Sequence, residues 1–365
     1  MKTFEPIWRG AVLLLGGALG AVLAAAQAYS GPKCLGPVCF DDAASFDGLA
    51  QELGGPSSSG GVYGYRSQNG QAFLIITQGD QDEVGTIDLR DFADFGAWDR
   101  KDEKVTQEDI QNWKTQEGIS LGSPEANVLK AYGAPSGIAD LEAEDRDHKK
   151  GKKLLLYKGQ FKGKVHAARF RIRDGRVSFI ELESDAFVGP DCLGPYCTYG
   201  DLSLPDMFRY LSLPTPKTAV SSLLCFQSQA GQASVHFATD VEETSGVADV
   251  LLSEFPNCLH KRKMTSARRL GDWKTPEGIG LGSSEADVVN AYGPPSTVKR
   301  LESKKPIAEM KGLLAGYRAA DTAPLTVDKL LIYGPRELQA VDFGIRDGKV
   351  SYIWLKESDF WLKGN

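Results

Sequence analysis

The sequence predicts an α+β protein built by internal duplication, in which each half contains two units made of a helix and an antiparallel sheet. Residues 112–136 (NWKTQEGISLGSPEANVLKAYGAPS) return at 272–296 (DWKTPEGIGLGSSEADVVNAYGPPS) with 17 of 25 positions identical. A cysteine-flanked turn, CLGPVC at 34–39, returns as CLGPYC at 192–197. Self-similarity of this kind dictates the architecture, because each copy must form the same supersecondary unit.

The elements follow the same order in every unit, a helix and then three strands. Residues 41–53 are typical of a helix that stops at Gly54-Gly55-Pro56. In the second unit Ser123 is an N-cap candidate for a helix that ends at Gly133, and Ser283 has the same place in the fourth unit. Alternating apolar runs predict strands at 62–65, 72–76, 84–89, 154–157, 165–172, 177–182, 223–226, 233–237, 247–252, 330–333, 340–345 and 350–355.

The repeats divide the chain into four units, which follow a signal peptide at 1–28. Unit one covers 29–110, unit two 111–188, unit three 189–270 and unit four 271–365.

The N-terminus has the order of a signal peptide. Lys2 and Arg9 precede an uncharged apolar run at 10–26, and Ala26-Gln27-Ala28 supplies a cleavage pattern of small residues. The alternative is an uncleaved anchor, because the run nearly reaches the roughly 20 residues that span a bilayer. We expect cleavage, no membrane span in the mature chain, and a location in the periplasm or outside the cell.

Six cysteines in an exported chain indicate disulfides. Gly-Pro between the thiols favours a turn that closes Cys34 with Cys39 and Cys192 with Cys197. Cys225 and Cys258 would then bridge each other.

Charge and motifs exclude several classes of function. The chain has 42 Lys and Arg against 48 Asp and Glu, a formal charge of −6 with no basic patch, so we expect no nucleic-acid partner. Nucleophile-elbow, zinc-protease, P-loop and dinucleotide motifs are missing from the sequence. The four histidines, at 148, 166, 236 and 260, lack metal-ligand spacing. We therefore predict no catalytic residues, no metal and no cofactor.

The second and fourth units resemble a known envelope module. The motifs are Gly118-Ile119-x-Leu121-Gly122, Tyr132-Gly133-x-Pro135 and Asp174-Gly175-Arg176-Val177, and their counterparts begin at residues 278, 292 and 347. This pattern is similar to the β-lactamase inhibitor protein fold, which small outer-membrane assembly lipoproteins share. The resemblance implies a protein-binding role and carries over no inhibitory residue.

Differences between the two halves mark the candidate contact residues. One difference is the acidic-then-basic segment 142–153, which contains Asp145 and His148. The other is a C-terminal set of aromatic residues, which are typical contact anchors but could equally pack in the core: Tyr352, Trp354, Phe360 and Trp361.

These observations favour an exported, non-enzymatic protein-binding module, and within that class an inhibitor or immunity-type protein that acts on another exported protein. One alternative is a periplasmic hydrolase with an unrecognised site. Another is a binder of cell-wall glycan or a small ligand, in which Trp354 and Trp361 would line a groove.

Overall fold

The structure is a computed structural model that describes residues 28–39, 46–55, 61–79, 83–91, 104–141, 152–161, 164–197, 204–213, 223–229, 233–239, 247–254, 264–301, 327–336 and 339–357. The predicted signal peptide lies outside these ranges except for its last residue, and it stays a prediction. Within the described ranges, no helix has the length and apolar character needed to cross a membrane.

The first half forms one sheet of eight strands. Its elements are β1 (Cys34–Leu35), β2 (Val38–Cys39), α1 (Phe46–Glu52), β3 (Val62–Arg66), β4 (Ala72–Gln78), β5 (Val84–Asp91), β6 (Lys104–Val105), α2 (Glu125–Tyr132), β7 (Gly137–Asp140), β8 (Lys153–Phe161), β9 (Lys164–Arg173) and β10 (Arg176–Glu183). The sheet order is β6-β3-β4-β5-β10-β9-β8-β7, while β1 and β2 form a separate hairpin. Neighbouring strands are antiparallel except β3 and β6.

The second half repeats this arrangement. Its elements are β11 (Cys192–Leu193), β12 (Tyr196–Cys197), α3 (Leu204–Tyr210), β13 (Leu223–Ser228), β14 (Ser234–Thr239), β15 (Val247–Ser253), β16 (Met264–Ser266), α4 (Glu285–Tyr292), β17 (Thr297–Arg300), β18 (Lys329–Arg336), β19 (Gln339–Arg346) and β20 (Lys349–Glu357). The sheet order is β16-β13-β14-β15-β20-β19-β18-β17, the same order as in the first half.

The predicted α+β class, with a separate helix-plus-sheet in each unit, is wrong. The described residues are dominated by strands, and their four α-helices have only seven or eight residues each. The two units of a half share one sheet, because the last strand of one pairs with the last strand of the other, as Leu89 does with Ile180. Periodicity within a strand does not reveal which edge it will pair with. The division into four units therefore stays a prediction about the sequence.

Helices α2 and α4 begin one residue later than predicted. Ser123 and Ser283 instead close the preceding turn, where the Ser123 hydroxyl accepts a hydrogen bond from the Ser120 amide at 2.9 Å. Ser284 is the N-cap of α4 and forms a capping box with Asp287. Pro124 has the equivalent place before α2 and provides no side-chain cap.

Each sheet packs α2 or α4 against one of its faces, which we call the helix face. The Tyr132 ring stacks on Phe170 with centroids 5.6 Å apart, and the Tyr157 hydroxyl donates to the Gly133 carbonyl at 3.1 Å. The second half builds the same contacts around Tyr292, which stacks on Phe343 at 5.6 Å. Because both halves have these aromatic contacts, each helix lies at the same place on its sheet.

The disulfide hairpins also pack on the helix face. Gly36 has a φ of 60° and lies against the ring of Trp113, so a Cβ at this position would overlap the indole. Gly194 has the same relation to Trp273. Trp113 and Trp273, which recur in the repeat, are therefore core residues.

Candidate functional site

The two halves of the chain meet at the outer edge of the first sheet. Each half has a loop that follows a short 3₁₀ turn, which we call the first-half loop (residues 114–119) and the second-half loop (residues 274–279). The Ile138 amide of edge strand β7 donates to the Pro276 carbonyl of the second-half loop at 3.2 Å. A Cβ added to Gly137 would lie 2.5 Å from Pro276, so the glycine permits this close approach.

A second contact covers the face of the first sheet opposite α2, which we call the back face. The Cys192–Cys197 disulfide packs there against Ala139 and Leu154. The hairpin of the second half therefore lies on a sheet of the first half, and the same hairpin places Leu193 in the core of its own half.

A buried ionic cluster lies beneath this hairpin. Arg169 of β9 pairs with Glu181 and donates to Glu183 at 2.8 Å, and both carboxylates lie on β10. On its other side Arg169 Nη2 lies 2.7 Å from Asp191, which precedes the hairpin. The Arg169 side chain is only 2% exposed. A buried guanidinium is tolerated only when its hydrogen-bond donors are satisfied by charged partners, and here those partners come from both halves.

The pKa values of Glu181 and Asp191 are shifted in opposite directions. Burial raises the pKa of Glu181 to about 7, despite the lowering effect of Arg169. For Asp191, burial also acts to raise the pKa, but Arg169 and Lys158 together hold it below its ordinary value. Asp191 therefore stays ionised in the folded chain, and Glu181 changes its charge near neutral pH.

Lys158 of β8 extends the cluster toward the second-half loop. Its ammonium donates to the Gly189 carbonyl at 2.8 Å and lies 3.3 Å from Asp191. Burial raises the pKa of Glu277 in the second-half loop, and the charge of Lys158 partly offsets that effect. The Tyr292 hydroxyl donates to Glu277 at 2.7 Å. One lysine of the first half thus contacts or faces two acidic residues of the second half.

A small cavity lies between the cluster and the disulfide. It is lined by Leu141, Leu154, Arg169, Arg171, Phe179, Glu181, Asp191, Cys192 and Cys197, and its volume of about 20 Å³ is enough for roughly one water molecule. An organic substrate does not fit into this space. The cluster therefore joins the two halves and is not a substrate pocket.

The second-half loop and strand β7, which contact each other, each have a counterpart elsewhere in the molecule. In the first-half loop Gln116 and Glu117 are exposed, whereas their counterparts Pro276 and Glu277 are partly buried. Strand β17 is the counterpart of β7 and ends the second sheet, and all four of its residues are exposed. Within the described part of the chain, β17 pairs only with β18.

The predicted contact residues fall in different places. Tyr352 is fully buried and Trp354 is 4% exposed, so neither is a surface anchor. The Tyr352 ring occupies the space where a Cβ at Gly344 would lie, and Lys356 lies 4.0 Å from the Trp354 ring centroid. The burial of Trp354 also removes one of the two tryptophans on which the glycan-binding alternative depends. The remaining candidates lie outside the described residues: Asp145, His148, Phe360 and Trp361.

The disulfide predictions are confirmed for two pairs. Cys34–Cys39 and Cys192–Cys197 are bonded, and the described cysteines include no free thiol. Cys258 lies outside the described residues, so the bridge between Cys225 and Cys258 stays a prediction. In the described residues no group of three or more potential ligands is placed to hold a metal ion.

Sequence reasoning missed the residues that join the halves. One signal was present: Asp191 stands in the second cysteine turn where the first has Lys33. Arg169 gave no signal, because it is one of several basic residues in β9, whose sequence is KVHAARFRIR. The difference at Asp191 did not indicate its partner, since the contact depends on how the two halves dock.

Comparisons with known proteins give little further information. No protein-family model matches the chain, and no curated protein matches it. One solved structure, a DUF4309 family protein (YjgB) from Bacillus subtilis, is similar to part of it, with 12% sequence identity, 37% of this chain and 75% of that chain covered, and a TM-score of 0.21.

Proposed function

We propose that this chain is an exported, non-enzymatic protein-binding module that binds another exported protein through its first-half loop. The observation that carries the proposal is the pair of equivalent loops. The second-half loop already holds a strand edge within the chain, with the Pro276 carbonyl accepting from Ile138. The first-half loop has the same scaffold, and it presents Gln116 and Glu117 to solvent.

The scaffold of the first-half loop is rigid, which favours binding. Gly36 donates through its amide to the Lys114 carbonyl at 3.0 Å, so the first disulfide hairpin supports the start of the loop. The Tyr132 hydroxyl donates to Glu117 at 2.6 Å and so fixes its carboxylate. A loop that is ordered before binding loses less conformational entropy when a partner docks.

Export is the second part of the proposal. The N-terminal pattern is that of a signal peptide. The Cys34–Cys39 and Cys192–Cys197 disulfides suit an oxidising compartment such as the periplasm or the extracellular space. An inhibitor or immunity-type role is the form of binding we favour, because such a role requires only a rigid, complementary surface. The resemblance to the β-lactamase inhibitor protein fold implies protein binding.

The test is affinity capture with the exported chain, purified with its disulfides intact. Exported proteins of its source are passed over the immobilised wild type, over Glu117→Arg, and over Glu52→Arg. The last variant makes the same charge change on the exposed side of α1 and is the matched control. We expect one dominant protein to bind wild type and Glu52→Arg and to be lost with Glu117→Arg. Capture of the same proteins by all three, or of none, would overturn the proposal.

A further inference from the structure

We propose that two copies of this chain associate head to tail, the first-half loop of one copy docking on strand β17 of the other. This inference goes beyond the proposed function, since it assigns a second partner to the same loop. The argument starts from a contact that the chain already makes with itself: the second-half loop on the edge strand β7.

The internal contact is heterologous, which means that it joins two different surfaces of the repeated unit. A heterologous contact leaves one loop and one edge unused at the two ends of an array, and these can continue the array or close it into a ring. Here the exposed loop is the first-half loop and the exposed edge is β17. On β7, Gly137 and Ala139 are buried by the second half, whereas all of β17 is exposed.

The exposed backbone of an edge strand is also a feature that can bind a partner. An edge strand presents backbone donors and acceptors that pair with an incoming chain. Val298 is 51% exposed on this strand. Arg300 gives the strand a positive charge, and the first-half loop presents the carboxylate of Glu117.

Two differences from the internal contact make the association weaker. Thr297 replaces Gly137, and therefore a side chain stands where Pro276 approaches the backbone of β7. The back face of the second sheet is already covered, since Asp342 and Tyr352 are buried, so no hairpin from another copy can add to the contact. Only the loop-on-edge part of the interface remains, and small interfaces of this kind are transient.

Sedimentation velocity of the purified, disulfide-intact chain tests the inference, at concentrations from low micromolar to near millimolar. We expect reversible self-association, either to a closed dimer or to longer oligomers. Glu117→Arg is expected to weaken the association about tenfold, because it places a positive charge against Arg300. Glu52→Arg, with the same charge change on α1, is expected to leave it unchanged.

A gain-of-function variant makes the test specific to the interface. Thr297→Gly restores the glycine that β7 has at the equivalent position, and we expect it to tighten the association about tenfold. Gln116→Pro recreates the second-half loop on the other surface and should act in the same direction. Circular dichroism melting checks that each variant is folded. If the glycine variant fails to fold, the Gln116→Pro and Glu117→Arg results still decide the question.

The outcomes separate this inference from the proposed function. A chain that stays monomeric at every concentration, or that associates equally in wild type and Glu117→Arg, overturns head-to-tail docking. The proposed function stands if the same Glu117→Arg variant nevertheless loses an exported partner in the capture experiment. Self-association without any captured protein supports the docking inference and overturns the proposed function.

Discussion

Arg169 and Asp342 occupy the same position in the two sheets and carry opposite charges. Each lies on the penultimate strand of its sequence half, opposite Glu181 in the first sheet and Trp354 in the second. Arg169 pairs with Glu183, and Lys356 pairs with Asp342, so the diagonal ion pair is also reversed. The duplication has therefore kept the local charge balance of the pair while exchanging its signs.

The reversal has a structural consequence for the junction. Arg169 contacts Asp191 of the second half, and Asp342 could not replace it in that contact because two carboxylates would face each other. Charge thus distinguishes the two back faces, although their strand order is the same. Asp191, beside the second cysteine turn, therefore suits the back face of the first sheet, where Arg169 lies.

The reversed pair should behave as a coupled unit. We expect Asp342→Lys to reduce the free energy of unfolding by about 3 kcal/mol, since it puts a second cation beside Lys356 in a buried site. Adding Lys356→Asp restores an opposite pair in the orientation found in the first half, and we expect it to recover 1–2 kcal/mol, that is, about half of the loss. Urea unfolding of both single variants and the double variant gives the coupling energy. Additive losses would show that the pair is not coupled.

The contact between Asp191 and Arg169 should contribute strongly to stability. Asp191→Asn removes the charge that faces both Arg169 and Lys158, and we expect a loss of about 3 kcal/mol in the free energy of unfolding. Lys33 has the equivalent place in the first cysteine turn, so Lys33→Gln is the matched control, with an expected loss under about 1 kcal/mol. Denaturant unfolding monitored by tryptophan fluorescence measures both. Equal losses would contradict a special role for the junction.

Glu181 should make the chain less stable as the pH rises toward neutrality. Its pKa is about 7 in the folded chain, against the ordinary glutamate value of 4.5 that applies when the chain is unfolded. The folded state therefore binds the proton more tightly. The stabilisation is complete below pH 4.5 and is lost as the pH rises through 7, which amounts to about 3 kcal/mol. Asp191 acts in the opposite sense at lower pH, because its lowered pKa makes its contribution disappear on acidification.

Urea unfolding at a series of pH values between 5 and 8 tests this prediction. The wild type should lose stability across the range, and Glu181→Gln, which keeps the shape without the charge, should show a flatter profile. Glu183→Gln is the control, because it is a neighbouring carboxylate on the same strand. A Glu181→Gln profile parallel to that of the wild type would show that Glu181 does not titrate in this window.

The sequence predicted most strands but not how they assemble. The run predicted at 165–172 is β9 (Lys164–Arg173), and the run at 177–182 is β10 (Arg176–Glu183), because period-two alternation is a local signal. The pairing of Leu89 with Ile180 joins residues far apart in the chain, and nothing local specifies it. Strand β7 was missed for a different reason, because its four residues are too short a run for alternation to be recognised.

The candidate site was hidden for a related physical reason. Tyr352 and Trp354 share a face by period two, as the alternation predicts, but period two does not tell a solvent-facing side from a covered one. Arg169 looks like an ordinary solvated cation in sequence, but in the structure its side chain is buried among carboxylates of both halves. Local pattern therefore gives the elements, whereas burial of charge depends on contacts between the halves.

The glycine of the first disulfide hairpin should be replaceable only at a high cost in stability. Gly36→Ala adds a Cβ that overlaps the Trp113 ring, and it does so at a φ of 60°, so the backbone cost and the steric cost add together. We expect a loss of about 3 kcal/mol. Gly118→Ala isolates the backbone cost, because Gly118 has a φ of 84° with open space around its Cβ position, and we expect it to cost about 1 kcal/mol. Thermal unfolding under non-reducing conditions compares the two variants. Equal losses would show that the contact between the hairpin and Trp113 does not hold the first-half loop in place.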